Sequence, residues 1–500
     1  MPTIESMARP MAIPMSIPMA MIMLLAMLIA APAHAADERW QVVRAEQTKV
    51  GHVRIVRSEN GATIFDSEQL EIRLGRQGRR VLYRVRLDTE SGSDGSLRRI
   101  AREVEASEGH SRVEAMVAGD DLEVSHGPGR MRSTLRLAGA ARGLKSDEFA
   151  RAWLASVGRG EKPAPLRFRT WDPVKLEVVD VELAVSDRLS GAGVERRVYS
   201  SRATTGSLLR VDAAGNVVHE RMSLGAFTLE RADAPRPEAL AADEPFDHVA
   251  ALLQPSPYRI PARDMDQKIR YRFDNHGNGV ALPTGAGQRT WREDRTTWIQ
   301  VCASCALDAT PLSDEERQRA LEPTPWLESA DPQLAKRARR VTAGVRDDDA
   351  RMRRLANYVR QHMSTQVDML GYGTALQALR TRRGDCTEYA VLLAALGRAA
   401  GVPTRVAIGR VYARHFEGRR HVFVPHAWVQ AWTGSGWQSF DAALGKFDST
   451  HLAFAVSYDG NPQNHFAGTA LSRELTLEAA ARVVPRKPEA GASSGERATR

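Results

Sequence analysis

From Trp40 to about Leu229 the chain alternates polar and apolar residues in short runs, and a period of two leaves little room for anything but antiparallel sheet. "GHVRIVRS", "QLEIRLGR", "RVLYRVRLDTE", "SRVEAMVAG", "DLEVSHG" and "STLRLAG" are such runs, broken by Gly, Asp and Ser. After Trp171 the alternation resumes in "VKLEVVDVELAV", "VERRVYSS", "GSLLRVDAAGNVVHERMSL" and "FTLERA", with Ala-Ala-Gly-Asn at 213–216 reading as a hairpin turn. One helix interrupts them, "SDEFARAWLASV", with Ser146 as its N-cap. One or two antiparallel sheets are expected over residues 36–230, and no residue cluster there suggests chemistry.

The pattern then changes. "RADAPRPEALAADEP", residues 231–245, is rich in Pro, Ala and acid and reads as a linker. "KIRYRFDNHG" and "RTTWIQVC" mark a small β region over 246–330 that leads into a helical section. Helix starts are expected at Ser313 and Asp331, and "DDARMRRLANYVRQHM" carries one apolar face through Met352, Leu355, Ala356, Val359 and Met363. Residues 331–480 are read as the last folded unit, and 486–500 as a disordered tail. The fold class is therefore α+β: a β-rich N-terminal part followed by a core that packs helices on an antiparallel sheet.

At 500 residues the chain has length for two to four domains. An apolar stretch from Met19 to Ala31 follows Arg9 and ends at the small-residue site Ala33-His34-Ala35, so residues 1–35 read as a secretory signal cleaved after Ala35. An uncut membrane anchor is the alternative, but the stretch is short for a bilayer span. A periplasmic or secreted protein with no stable membrane insertion is expected. The net charge is +9, yet the arginines are spread along the chain without a basic run or interleaved aromatics, which argues against a nucleic-acid partner.

Three cysteines occur, Cys302, Cys305 and Cys386. "VCASC" can close as a local disulfide, remain as two thiols, or bind zinc, although no further ligand pair stands near it. A redox role for the pair would require a helix start that its context lacks. Cys386 is left without a partner. It follows a Gly384-Asp385 turn and opens the apolar run "CTEYAVLLAALGRAAGVP", which Gly401 and Pro403 end. A thiol in the first turn of a buried helix sits among unpaired amides, which favour a thiolate and can hold an oxyanion. The plainer reading is a small buried side chain.

A nucleophile needs a base and the base an orienting group. In "HVFVPHAWVQAWTGSGWQSFDAALG" two strand-like runs flank Thr433-Gly434-Ser435-Gly436. If Trp432 faces Trp437, Trp428 stands opposite Asp441, and His426 is the diagonal neighbour of Asp441 on the same face. A slip of one residue would separate them. His415 and His421 lie in "RHFEGRRHVF", read as an exposed loop, and Asp448 is a less favoured orienting group.

Taken together, "TRRGDCTEYAVLLAALGRAAGVPTRVAIGRVY", "HAWVQAW" and "GWQSFDAALG" resemble the core of the transglutaminase-like superfamily of papain-like cysteine enzymes. The resemblance runs from about Leu355 to Leu444, with weaker likeness over 311–332. It implies Cys386 as nucleophile, His426 as general base and acid, and Asp441 as the group that orients it. It also implies attack on an amide or peptide carbonyl, with an acyl-thioester passed to water or an amine, and hence a protein or peptide substrate. Arg405 is read as structural, Glu388 as capping the helix start, and Tyr372 and Trp428 as walls or donors of the cleft. No sequence resembles a calcium loop, so no metal and no cofactor are expected. A transglutaminase-like scaffold that binds without catalysing is the alternative.

Overall fold

The computed structural model describes residues 37–483 apart from short internal stretches, chiefly 202–206, 248–251, 276–281, 306–310, 366–372 and 462–474. The expected signal segment 1–35, the tail 486–500 and Tyr372 lie outside the described residues.

The alternating region forms one sheet of fourteen strands, from β1 (Asp37–Ala45) through β8 (Ser133–Leu137) and β9 (Leu166–Asp172) to β14 (Phe227–Asp233). Its order runs from β8 down to β1, then from β14 down to β9, so two antiparallel meanders meet at a seam. At that seam the first and last strands pair, Val43 with Arg231 and Ala45 with Leu229. One long sheet results because each meander would otherwise end in an unpaired edge. Val43, Ala45, Val50, Val53 and Ile72 form one apolar cluster. Phe168, Val181, Leu183, Val198 and Leu209 form another, closed by Leu154 and Val157 of α1 (Arg151–Gly158). Ser146 caps the short turn before α1 by accepting from the Glu148 amide at 3.3 Å. Segment 231–245 holds the end of β14 and the short α2 (Arg236–Ala239).

The second half is layered. A four-stranded sheet has the order β17 (Gln288–Glu293), β18 (Thr296–Val301), β16 (Ile269–Asn275) and β25 (Leu475–Arg482). A second sheet has the order β15 (Gln254–Pro255), β22 (Arg419–Trp432), β21 (Thr404–Phe416) and β24 (Leu452–Ser457), with β23 (Trp437–Phe440) also paired to β22. Tyr271, Phe273 and Ile299 of the first sheet meet Phe423, Leu452 and Phe454 of the second in a continuous apolar layer. Each such fully buried side chain stabilises the fold by about 1.5–3 kcal/mol relative to exposure.

Helices cover the other face of the second sheet. These are α5 (Pro332–Val341), α6 (Asp348–His362), α7 (Ala375–Thr381) and α8 (Cys386–Ala399). Two shorter helices, α3 (Ala262–Met265) and α4 (Asp314–Arg319), precede them. Ser313 and Asp331 are the N-caps of α4 and α5. The apolar residues of α6 face inward as their spacing requires, with Met352, Leu355 and Val359 buried. In α8 every residue from Thr387 to Arg398 is buried, because helices lie on one side of it and β21 and β22 on the other.

One local expectation fails. His415 and His421 are not in a loop; they stand on β21 and β22, joined by a two-residue turn at Glu417 and Gly418, both with positive φ. The run "RHFEGRRHVF" is too polar to look like sheet, but its strands extend beyond the covered face. His421 accepts or donates at 2.6 Å to the Tyr412 hydroxyl. Among the described residues no helix is long and apolar enough to cross a membrane.

Candidate active site

Cys386 is the first residue of α8, after Asp385 as N-cap. The Asp385 carboxylate accepts from the Thr387 amide at 2.8 Å, while Glu388 reaches back to the Asp385 amide at 2.9 Å and to the Gly373 amide at 2.8 Å. Glu388 thus caps the helix, as expected, and ties the chain ahead of α7 to it. A two-residue parallel pairing of β19 (Ser364–Thr365) with β20 (Arg383–Gly384) fixes the approach from the other side. The Cys386 sulfur accepts a hydrogen bond from the backbone N–H of Ala427, the residue next to His426. The thiol therefore lies against β22 at the residue that follows His426.

Trp432 pairs with Trp437 and Val429 with Phe440, so the hairpin has the expected register. Asp441 lies one residue beyond β23. Its Oδ2 is 2.7 Å from His426 Nε2, and its Oδ1 accepts from the Leu444 amide at 3.0 Å. With Nε2 engaged, Nδ1 is the ring nitrogen of His426 that Asp441 leaves unengaged. Burial alone would raise the Asp441 carboxyl, but the His426 and His451 rings outweigh it and hold the group well below the usual carboxylate range.

His451 was not anticipated. It immediately precedes β24 and is fully buried; its Nε2 lies 3.0 Å from the same Oδ2 of Asp441. Its Nδ1 lies 3.0 Å from the Asp448 carbonyl and 3.1 Å from Asp448 Oδ1. Burial acts to lower this imidazole, yet the two carboxylates raise it to about 9. Asp448, considered as an orienting group for His426, instead holds His451. "STHLAF" gave no periodicity or spacing from which this role could be read. Trp428 packs beneath both rings, at 6.2 Å from His426 and 5.2 Å from His451, and its indole N–H points to Ser439 Oγ. It walls the histidines and offers no donor to a cleft.

The thiol departs from expectation. Desolvation, then the Asp385 carboxylate, push Cys386 well above its ordinary value, and the Ala427 N–H opposes them only in part. Desolvation outweighs what the helix start offers, and amides of its first turn are already taken by the Asp385 carboxylate. Cys302 and Cys305 are joined by a disulfide, and Cys386 is free. Arg405 is structural: it ion-pairs with Glu316 at 3.2 Å, bonds Gln430 at 2.8 Å and stacks over Trp437 at 4.1 Å.

His426, Asp441 and His451 bring three ligand-capable atoms within 4.8 Å of one another. Both histidines already donate through Nε2 to one carboxylate oxygen, which leaves no lone pair on that side for a cation. The group shares protons and does not form an open coordination site.

The site thus sets a thiol-bearing helix on an antiparallel sheet, with a paired imidazole and carboxylate at its β22–β23 hairpin. The chain carries a transglutaminase-like domain: residues 335–442 match the model of the transglutaminase-like superfamily. An uncharacterized protein of Mycobacterium leprae is 35% identical over 77 residues, which covers 14% of this chain and a quarter (25%) of that protein. The periplasmic domain of TgpA from Pseudomonas aeruginosa is similar at 18% identity, over 43% of this chain and 77% of that one, with a TM-score of 0.29. A candidate cysteine protease from Cytophaga hutchinsonii is similar at 14% identity, over 44% and 84% of the two chains, with a TM-score of 0.27.

Proposed function

We propose that the protein is an exported thiol enzyme that acts on amide or peptide carbonyls. The observation that carries this reading is the His426–Asp441 bond of 2.7 Å beside a free cysteine at a helix start. Cys386 rests as a neutral thiol. His426 takes its proton as the sulfur attacks the carbonyl carbon, giving a tetrahedral oxyanion and an imidazolium. Asp385 occupies later amides of the first turn, so the Cys386 N–H is the backbone donor for that oxyanion. His426 returns the proton to the departing amine, leaving an acyl-thioester. Water or a second amine then attacks the thioester, with His426 again as base, and the thiol is restored. Asp441 keeps the ring oriented and stabilises the imidazolium. The segment 1–35 supports export, and the superfamily match supports the thiol chemistry.

The second reading, a binding scaffold without turnover, is favoured by one observation, the upward push on the thiol. One experiment separates the two. The purified protein and Cys386→Ala are incubated with a peptide library and with a glutamine peptide plus a primary amine, and products are read by mass spectrometry. Cleaved, deamidated or amine-linked products that vanish in Cys386→Ala support the enzyme. Products that survive the substitution, or none with the wild type, overturn it.

A further inference from the structure

His451 has no part in the reading above, yet it is the most constrained polar side chain near the site. Its Nε2 faces Asp441 Oδ2 at 3.0 Å, and its Nδ1 lies 3.0 and 3.1 Å from the Asp448 carbonyl and Oδ1, with the Asp448 amide N–H farther off at 3.3 Å. A neutral ring protonated on Nε2 could accept from that amide, but it would turn the Nδ1 lone pair toward the two nearer Asp448 oxygens, which favours a proton on Nδ1 as well. The ring is buried and packs against Trp428 from β22 at 5.2 Å and Phe447 at 4.9 Å between ring centres.

We propose that His451 is a positioning residue of this site, an imidazolium clamped between Asp448 and Asp441 that fixes the Asp441 carboxylate and moderates the charge it presents to His426 and Cys386. The inference rests on the reading of Cys386, His426 and Asp441 given above. A lone buried carboxylate at 2.7 Å stabilises the imidazolium that the mechanism needs, but uncompensated it would also keep His426 protonated up to a higher pH, where the ring cannot yet take the thiol proton. It would also oppose negative charge on the sulfur, toward which Asp441 already acts. A cationic ring on the same carboxylate oxygen offsets both effects at short range and low dielectric. The titratable groups around His451 are Asp441 just after β23, Asp448 three residues before His451, His426 on β22, and Tyr271 on β16, whose hydroxyl donates to the Ser449 carbonyl at 2.8 Å. Tyr271 is held neutral by burial, so it adds no charge.

The test needs no known substrate. Cys386 is the one cysteine outside the disulfide, so iodoacetamide alkylation reports this thiol alone. In the wild type the rate should fall on the acid side as His426 becomes protonated. In His451→Gln and in Asp448→Asn that acid limb should move to higher pH by half a unit or more, and Asp448→Glu should restore it. A folded His451→Gln with an unmoved limb overturns the proposal. If the variants fail to fold, nitrogen-15 histidine NMR of the wild type decides. Two protonated ring nitrogens on His451 at pH 7.5 support it, and a neutral ring overturns it. Failure of the underlying triad reading looks different: His426→Ala would leave the wild-type acid limb in place.

Discussion

Trp432 and Trp437 stand opposite each other across the β22–β23 hairpin, their rings edge to face at 5.9 Å. That pair sets the register that brings Asp441 to His426. One residue of slip would turn the carboxylate to the opposite face of the sheet. A pair of large side chains, neither of them near the thiol, thus decides whether the imidazole has a partner.

Asp441→Asn keeps the shape of this contact and removes its charge. The amide can still meet His426, but it no longer stabilises an imidazolium. We expect turnover, or Cys386 alkylation at neutral pH where no substrate is at hand, to fall by about a hundredfold or more, with the circular dichroism spectrum retained. A loss of less than threefold would remove Asp441 from the mechanism.

Stability should depend on pH through His451. Its folded value is raised from an ordinary 6.5 to about 9, so the contribution is fully present below pH 6.5 and is lost as pH rises through 9. The shift corresponds to about 3 kcal/mol across that window. Asp441 acts oppositely: its value is depressed, so its contribution is present above the ordinary carboxylate range and is lost on acidification. Urea midpoints measured from pH 6 to pH 10 should decline in the wild type, and His451→Gln should flatten the decline.

Gly409 lies opposite His426 on β21, at a register shift against β24. A methyl group there would meet the Leu452 carbonyl oxygen at 1.8 Å, a backbone atom with little freedom to move. Gly409→Ala should therefore cost about 1–3 kcal/mol in denaturant unfolding. Because Leu452 follows His451, it should also alter the rate of Cys386 alkylation.

Arg405→Lys tests a purely structural cation. The guanidinium serves Gln430, Glu316 and the Tyr458 hydroxyl at 2.8, 3.2 and 2.9 Å while lying on Trp437, and a lysine cannot reproduce that fork. A loss of about 1–3 kcal/mol in unfolding free energy is expected, with the pH profile of alkylation unchanged. A shifted profile would place Arg405 in the site.

Much of this was legible in the amino-acid order because the signals are local. Ser146, Ser313 and Asp331 are caps read from one turn of chain, and the placement of Cys386 at a helix start follows from Gly384-Asp385 and the apolar run behind it. Asp441 was accessible because a short hairpin carries its own register. His451 was not, since its two partners come from a turn that shows no period, and its approach to Asp441 depends on the irregular pairing of β21 with β24. The upward push on the thiol was hidden for a related reason. A helix start predicts free amides, whereas desolvation by distant parts of the chain dominates at Cys386 and Asp385 already takes amides of the first turn. The seam between β1 and β14 joins residues almost two hundred positions apart, and alternation alone does not say where a sheet closes.

The strand β25 has a consequence for biosynthesis. It pairs with β16 along Ile269–Asn275, and its Leu475 and Leu477 complete the apolar layer behind β24, the strand that His451 precedes. A ribosome or translocon releases residues 475–482 long after Cys386, His426 and Asp441. Until they emerge, the edge of β16 is bare and the layer beneath the site is open. A nascent chain that has not yet released these residues would carry every reactive group in a loosened frame, so whatever chemistry the site performs is deferred until β25 has emerged and docked.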